Sequence, residues 1–150
     1  MRRCILLIGG CAGAGLAVAG WRSGLFYAAI TETRTGAVID APAALDLVRS
    51  GDLILVDIRR PEEWAATGRP AGSIGLDMRR EDFTAELTRI ANGDRSAPIA
   101  LICARGVRSA HLANRMIEAG FTDIRDVPEG MLGSAAGPGW VARGLPIDRS

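Results

Sequence analysis

The fold is decided by residues 98–109, which read PIALICARGVRS. The short apolar run from Ile99 to Ile102 predicts a central strand of a parallel sheet, because such strands are buried on both faces. Cys103 stands where that strand ends, and Gly106 permits a turn at a backbone angle that other residues resist. An amphipathic helix follows and Gly120 ends it. The stretch therefore predicts a strand, a tight loop and a helix in succession.

The predicted loop gives Cys103 surroundings that favour chemistry at its sulfur. A side chain at the carboxyl end of a parallel strand faces the crevice in which α/β proteins bind ligands. The loop amides, the helix N-terminus, Arg105 and Arg108 all favour thiolate over thiol. The same groups would hold a small oxyanion beside the sulfur. We therefore predict a nucleophile here, although an inert buried thiol is the commoner fate of a cysteine.

Residues 103–109 resemble the active-site loop of the rhodanese-like sulfurtransferases, with a glycine three positions after the cysteine, an arginine five positions after it, and then a serine. Residues 55–64, which read LVDIRRPEEW, resemble an early strand and the following helix of that family. The order and spacing of the two segments also fit, and the resemblance spans residues 39–147. It implies an α/β fold of the rhodanese-like, three-layer type, in which helices flank a mainly parallel central sheet.

The resemblance also implies a reaction that needs no metal and no cofactor. Cys103 would attack the outer sulfur of a donor such as thiosulfate, hold that sulfur as a persulfide, and pass it to a thiol or to cyanide. Arg108 and the loop amides would stabilise the bound anion and the persulfide. The substrate-binding residues implied in this way are Ala104, Arg105, Gly106, Val107, Arg108 and Ser109.

Asp57 and Arg59 follow a second predicted strand, Leu53 to Val56, and admit two interpretations. One is direct contact with the substrate or proton transfer. The other is an ion pair or cap that fixes the loop beside the active site. Because this segment is largely structural in the resembled family, we expect the two residues to support the site rather than to react.

Two further helices and a last strand complete the predicted alternation of strands and helices. Asp40 is expected to be the N-cap of a helix that ends at Gly51. Asp82 is expected to cap a helix that carries Phe83, Leu87 and Ile90. The last strand is predicted at residues 122–127.

Two other functions stay open. Phosphatases and arsenate reductases also pair a cysteine thiolate with an arginine on an anion-binding loop. In the related phosphatases, however, the loop between the cysteine and the arginine is one residue longer than the loop between Cys103 and Arg108. The second open function is a non-catalytic interaction module, although rhodanese-like domains with that role typically lack the cysteine. A Cys–His hydrolase is disfavoured, because His111 is predicted to lie on the polar face of the helix, more than two turns beyond the cysteine.

The N-terminus differs in composition from the rest of the chain. Arg2 and Arg3 precede an uncharged run to Trp21, and residues 17–19 read AVA, which together form the layout of a secretory signal. We expect export to the periplasm, or anchoring to the outer face of the inner membrane through residues 1–21. The predicted division is a signal peptide or membrane anchor at 1–20, a linker at 21–37 and the rhodanese-like domain at 38–150.

Composition limits the partners that we expect. The formal net charge is +1, every basic side chain is an arginine, and these arginines are scattered among the acids. No basic stripe with interleaved aromatic residues exists, so nucleic-acid binding is not expected. The sequence has three cysteines, and cleavage after Ala19 would leave only Cys103. A single cysteine would exclude an intramolecular disulfide and a cysteine-based metal site. We expect a monomer.

Overall fold

The structure is a computed structural model, and it describes residues 35–149. Its seven strands are β1 (Ala37–Val38), β2 (Ile54–Asp57), β3 (Arg69–Pro70), β4 (Ile74–Gly75), β5 (Ile99–Ile102), β6 (Ile124–Asp126) and β7 (Ile147–Asp148). The helices within the described residues are α1 (Ala41–Ser50), α2 (Pro61–Thr67), α3 (Phe83–Ile90) and α4 (Val107–Glu118). Five strands form a parallel sheet in the order β1-β6-β5-β2-β4, and β3 pairs with β7 in a small antiparallel sheet. The predicted α/β fold with a mainly parallel central sheet is confirmed.

The two strands that the sequence analysis placed together are direct neighbours. β2 and β5 run parallel, with Ile54 opposite Ile99 and Asp57 opposite Ile102. Both strands end at the same edge of the sheet. The residues that follow them, and those that follow β6, therefore meet at one edge, which is where ligands bind in sheets of this kind.

The sheet separates two hydrophobic layers because side chains alternate along each strand. Ile99, Leu101 and Cys103 pack into the cluster that contains residues of α3 and α4. Ala100 and Ile102 pack on the opposite face, in the cluster that contains residues of α1 and Trp140. Cys103 therefore continues the alternation of β5 and lies on the side of the sheet that α4 covers.

The two predicted N-caps have different outcomes. Asp40 has an extended backbone, and its Oδ1 accepts a hydrogen bond from the Ala43 N–H at 2.8 Å, as an N-cap does. Asp82 stands before α3, as predicted, but its side chain makes no capping bond. Its φ of −89° and ψ of 16° are not the extended conformation of an N-cap, and its carboxylate instead pairs with Arg80 at 2.7 Å. The capping role of Asp82 is therefore wrong.

The predicted signal peptide or anchor at 1–20, and most of the predicted linker at 21–37, lie outside the described residues. Their cleavage, and the export that they imply, stay predictions. Ala37, which we assigned to the linker, pairs with Arg125 in the parallel sheet, so the sheet begins one residue before the predicted start of the domain. From residue 35 to residue 149, none of the helices has the length and apolar character that a membrane span requires.

Candidate active site

Cys103 lies directly after β5 and is only 1% exposed. Its sulfur accepts a hydrogen bond from the backbone N–H of Gly106 at 3.1 Å and another from the hydroxyl of Ser109 at 3.4 Å. Both donors stabilise negative charge on the sulfur. Because α4 begins at Val107, the sulfur also lies beside the positive end of that helix. The loop therefore holds the sulfur in the surroundings that a nucleophilic thiolate needs.

Gly106 is required at the turn of this loop for two reasons. Its φ of 82° lies in the left-handed region that side chains disfavour. A Cβ at this position would also lie 2.1 Å from the carbonyl oxygen of Pro128, which belongs to the backbone after β6. The glycine thus lets two neighbouring loops approach closely while its own N–H points at the sulfur.

The segment after β6 runs alongside the cysteine loop. Met131 N–H donates to the Cys103 carbonyl and Leu132 N–H donates to the Ala104 carbonyl, each at 2.9 Å. The Arg105 guanidinium donates to the carbonyl of Gly133 at 3.0 Å. Arg105, which the resemblance made a substrate-binding residue, therefore also fastens the loop to this neighbouring segment.

Arg108 forms a two-pronged ion pair with Glu63, which lies 45 residues earlier in the chain. Its Nη1 donates to Oε2 at 2.8 Å and its Nη2 donates to Oε1 at 2.7 Å. Hydrogen bonding from Arg108 lowers the pKa of Glu63 from 4.5 to about 2, although partial burial acts in the opposite direction. The hydrogen bond to Glu63 also raises the pKa of Arg108, and the charge of Cys103 adds to this effect. The guanidinium thus lies within the electrostatic reach of the sulfur while it is held by a carboxylate.

Glu63 is itself held in place at the start of α2. Its Oε2 accepts a second hydrogen bond, from the Arg60 N–H at 3.1 Å, in a capping arrangement. Pro61 at the first position of the helix leaves no orphan N–H there. Glu63 therefore links the first turn of α2 to the first turn of α4, across the edge of the sheet.

Asp57 and Arg59 form a buried ion pair, with exposed fractions of 0% and 1%. The Arg59 Nη2 donates to the Asp57 carboxylate and to the Gly68 carbonyl, at 2.7 Å each, and Nη1 donates to the Thr67 hydroxyl at 2.8 Å. This pair ties the end of β2 to the end of α2. Such contacts favour the supporting role predicted for both residues over a direct role in the reaction.

Glu129 is a buried acid on the other side of the site. Its carboxylate accepts hydrogen bonds from the N–H groups of Ala41 and Gly139 and from the Arg143 side chain, at 2.7 to 2.9 Å. Burial raises the pKa of Glu129, but these three donors outweigh burial and leave the pKa below its ordinary value. The ionised carboxylate therefore fastens the turn after β6, which covers Gly106, to α1 and to the C-terminal segment.

The family of the chain follows from a comparison with family models. The model described as the rhodanese-like domain matches residues 40–136, which is more than half of the sequence. The chain belongs to the rhodanese-like domain family. The matched range includes the strands of the parallel sheet from β2 to β6, Glu63 and the whole cysteine loop.

Named relatives of this rhodanese-like domain include sulfurtransferases. A tRNA sulfurtransferase from Shewanella baltica is 33% identical over 96 residues, which cover 64% of this chain and 17% of that protein. The chain thus spans about a sixth of the length of that curated relative. The relatives support a sulfurtransferase in general terms and leave the substrates open.

Solved structures share the fold. A protein from M. tuberculosis is 27% identical, with a TM-score of 0.61, over 79% of this chain and 100% of that chain. A polysulfide-sulfur transferase from Wolinella succinogenes, described as a homodimer, is 23% identical, with a TM-score of 0.55, over 88% of each chain. At this identity the second structure supports the fold alone.

The structure brings most of the predicted site residues of this rhodanese-like domain together. Gly106 and Ser109 contact the sulfur of Cys103, whereas the guanidinium groups of Arg105 and Arg108 bind other parts of the protein. His111 is exposed on α4, as predicted. Among residues 35–149, no group of three or more His, Cys, Asp or Glu side chains could hold a metal ion.

Sequence reasoning missed the two acids that organise the site. Glu63 carried a local signal, because a glutamate at the third position of a helix is typical of a capping box. That signal explains its bond to Arg60 and not its bond to Arg108. Glu129 had no local signal, since its three donors lie 10, 14 and 88 residues away in the chain.

Proposed function

We propose that this rhodanese-like domain transfers sulfane sulfur through a persulfide on Cys103, from a donor such as thiosulfate to a thiol or to cyanide. One observation carries the proposal: a cysteine at the end of a central parallel strand, whose sulfur accepts hydrogen bonds from the Gly106 N–H and the Ser109 hydroxyl. The name of one relative, a tRNA sulfurtransferase, supports the same reaction class.

The first half of the reaction loads the cysteine. The Cys103 thiolate attacks the outer sulfur of thiosulfate and forms a new S–S bond. The original S–S bond breaks, and its electron pair leaves with sulfite. Charge balances, because a thiolate and a dianion give a persulfide anion and the sulfite dianion. The amide of Gly106 and the hydroxyl of Ser109 are placed to stabilise negative sulfur throughout.

The second half of the reaction removes the sulfur from the cysteine. A nucleophilic acceptor attacks the outer sulfur of the persulfide, and the S–S bond breaks with its electron pair returning to Cys103. With cyanide as the acceptor the product is thiocyanate, and with a thiolate as the acceptor the product is a persulfide. No oxidant or reductant is consumed, because the sulfane sulfur changes partner and keeps its oxidation level. The two-step route therefore needs only the chain's own nucleophile.

The small exposed fraction of Cys103 favours a donor whose reacting atom is terminal and carries no further substituents. The outer sulfur of thiosulfate meets that condition. The phosphorus of a phosphate ester carries four oxygen substituents and has to approach the same buried sulfur.

The export predicted from residues 1–20 would place sulfur transfer in the periplasm.

Three variants test the proposal in an assay of thiocyanate formation from thiosulfate and cyanide. Cys103→Ser should abolish turnover without unfolding the protein, because a serine hydroxyl stays protonated at neutral pH. Arg108→Ala should weaken donor binding roughly 10- to 100-fold through the loss of a charge-assisted contact. His111→Ala is the control and should change little, because the side chain is exposed on α4.

The same variants separate the alternatives. Hydrolysis of an aryl phosphate that exceeds thiosulfate turnover would make the site a phosphatase. Loss of activity in His111→Ala equal to that in Cys103→Ser would make it a Cys–His hydrolase. Absence of sulfur transfer by the wild-type protein with either acceptor would leave the interaction module as the better account.

A further inference from the structure

We propose that Glu63 determines which sulfur donors the site accepts, by favouring donors with one negative charge over donors with two. The inference rests on the proposed function, and it concerns the charge of the substrate rather than the identity of the nucleophile. The Glu63 carboxylate accepts its hydrogen bonds from Arg108 and from the Arg60 N–H, and not from the groups around the cysteine sulfur. Its effect is exerted through Arg108 and through the electrostatic field at the sulfur.

The first observation is the geometry of the ion pair. Both terminal nitrogens of Arg108 are committed to the Glu63 carboxylate, at 2.7 and 2.8 Å. Arginine has five N–H donors, and this contact uses two of them. Arg108 therefore keeps donors for a small anion, but its positive charge is already offset by a carboxylate in contact with it.

The second observation is that Glu63 is ionised at neutral pH and is firmly placed. Its pKa of about 2 excludes a role as a proton carrier at neutral pH. The Arg60 N–H holds the same carboxylate from the other side, so its position does not depend on Arg108 alone. A fixed negative charge thus stands in contact with the guanidinium that is proposed to bind the donor anion.

The third observation is the balance of charge around the sulfur. The Arg108 guanidinium is the cation whose field reaches the sulfur, and with Cys103 as a thiolate it faces two negative groups, Cys103 and Glu63. Asp57 and Arg59 offset each other in the buried pair next to them. A donor's second negative charge therefore meets no uncompensated positive charge among these residues, and each added negative charge is repelled by the thiolate that must attack it.

Two donors that differ in one charge provide the test. Thiosulfate is a dianion, and methanethiosulfonate is a monoanion of similar shape in which a methyl group replaces one oxygen. The Cys103 thiolate attacks the terminal sulfur of either donor, and the S–S bond breaks with its electron pair on sulfite or on methanesulfinate. The measured quantity is the ratio of kcat/KM for thiosulfate to kcat/KM for methanethiosulfonate, with cyanide as the acceptor.

Glu63→Gln should raise this ratio roughly 3- to 30-fold, because it removes one negative charge and leaves Arg108 to attract the second charge of thiosulfate. The change should appear mainly in the KM for thiosulfate. Glu62→Gln is the matched control. It makes the same change of charge in the same turn of α2, at an exposed side chain that does not contact Arg108, and it should leave the ratio close to that of the wild type.

Glu63→Asp separates charge from placement. It keeps the negative charge but shortens the side chain, so both rates should fall together while the ratio stays within a factor of about two. Equal effects of Glu63→Gln on the two donors, or an equal shift of the ratio in Glu62→Gln, would overturn the inference while sulfur transfer stands. Turnover of neither donor by the wild-type protein would overturn the proposed function and this inference together.

Discussion

At the scale of single residues, burial determines which charged groups matter most. Asp57 and Arg59 are almost fully buried and hydrogen-bonded on several sides. Arg80 and Asp82 form an ion pair of the same length that is 47% and 59% exposed. Removal of one partner from a buried pair leaves an uncompensated charge in the interior, whereas water solvates what remains of an exposed pair.

Asp57→Asn should therefore destabilise the fold by about 3–5 kcal/mol, because Arg59 then lacks its carboxylate. The free energy of unfolding, measured by urea denaturation at neutral pH, checks this value. Asp82→Asn is the control and should cost far less. Equal losses in the two variants would show that Asp57 does not support the active-site edge in the way that its contacts indicate.

At the scale of elements, the first turns of α2 and α4 are joined by Glu63 and Arg108. The pKa of Glu63 is lower in the folded protein than in the unfolded chain, so ionisation of this carboxylate stabilises the fold. The contribution is fully present above the unfolded pKa of about 4.5 and is lost as the pH falls towards the folded pKa of about 2.

The difference in unfolding free energy between the wild type and Glu63→Gln should follow that window. We expect about 1 kcal/mol at neutral pH, a modest value because both side chains are about 30% exposed and water screens the pair. The difference should shrink as the pH falls from about 5 to about 2, measured by denaturation at several pH values. A difference that stays constant or grows on acidification would contradict the role given to this pair.

The elements also show how far local sequence signals reach. The apolar run of β5, the Asp40 cap and the glycine turn at Gly106 were predictable, because each depends on residues close together in the chain. The Asp82 cap failed because the backbone there is not extended. The pair of Glu63 with Arg108 could not be predicted, since its partners are 45 residues apart and meet only through the pairing of β2 with β5.

At the scale of the whole molecule, the parallel sheet gathers the ends of β2, β5 and β6 at one edge. That edge could be predicted from strand patterns and from the resemblance of the cysteine loop to a known family. The contacts that close the site could not be predicted from the sequence. They depend on the turn after β6, where Pro128 packs on Gly106, and on Glu129, which draws α1 and the C-terminal segment to that turn.

The central claim, that Cys103 carries sulfur as a persulfide, is tested most directly by the intact mass of the purified protein before and after incubation with thiosulfate. Its mass should increase by one sulfur atom, cyanide should remove the increase, and Cys103→Ser should show no increase at all. An unchanged mass in the wild-type protein, or the same increase in Cys103→Ser, would contradict the account.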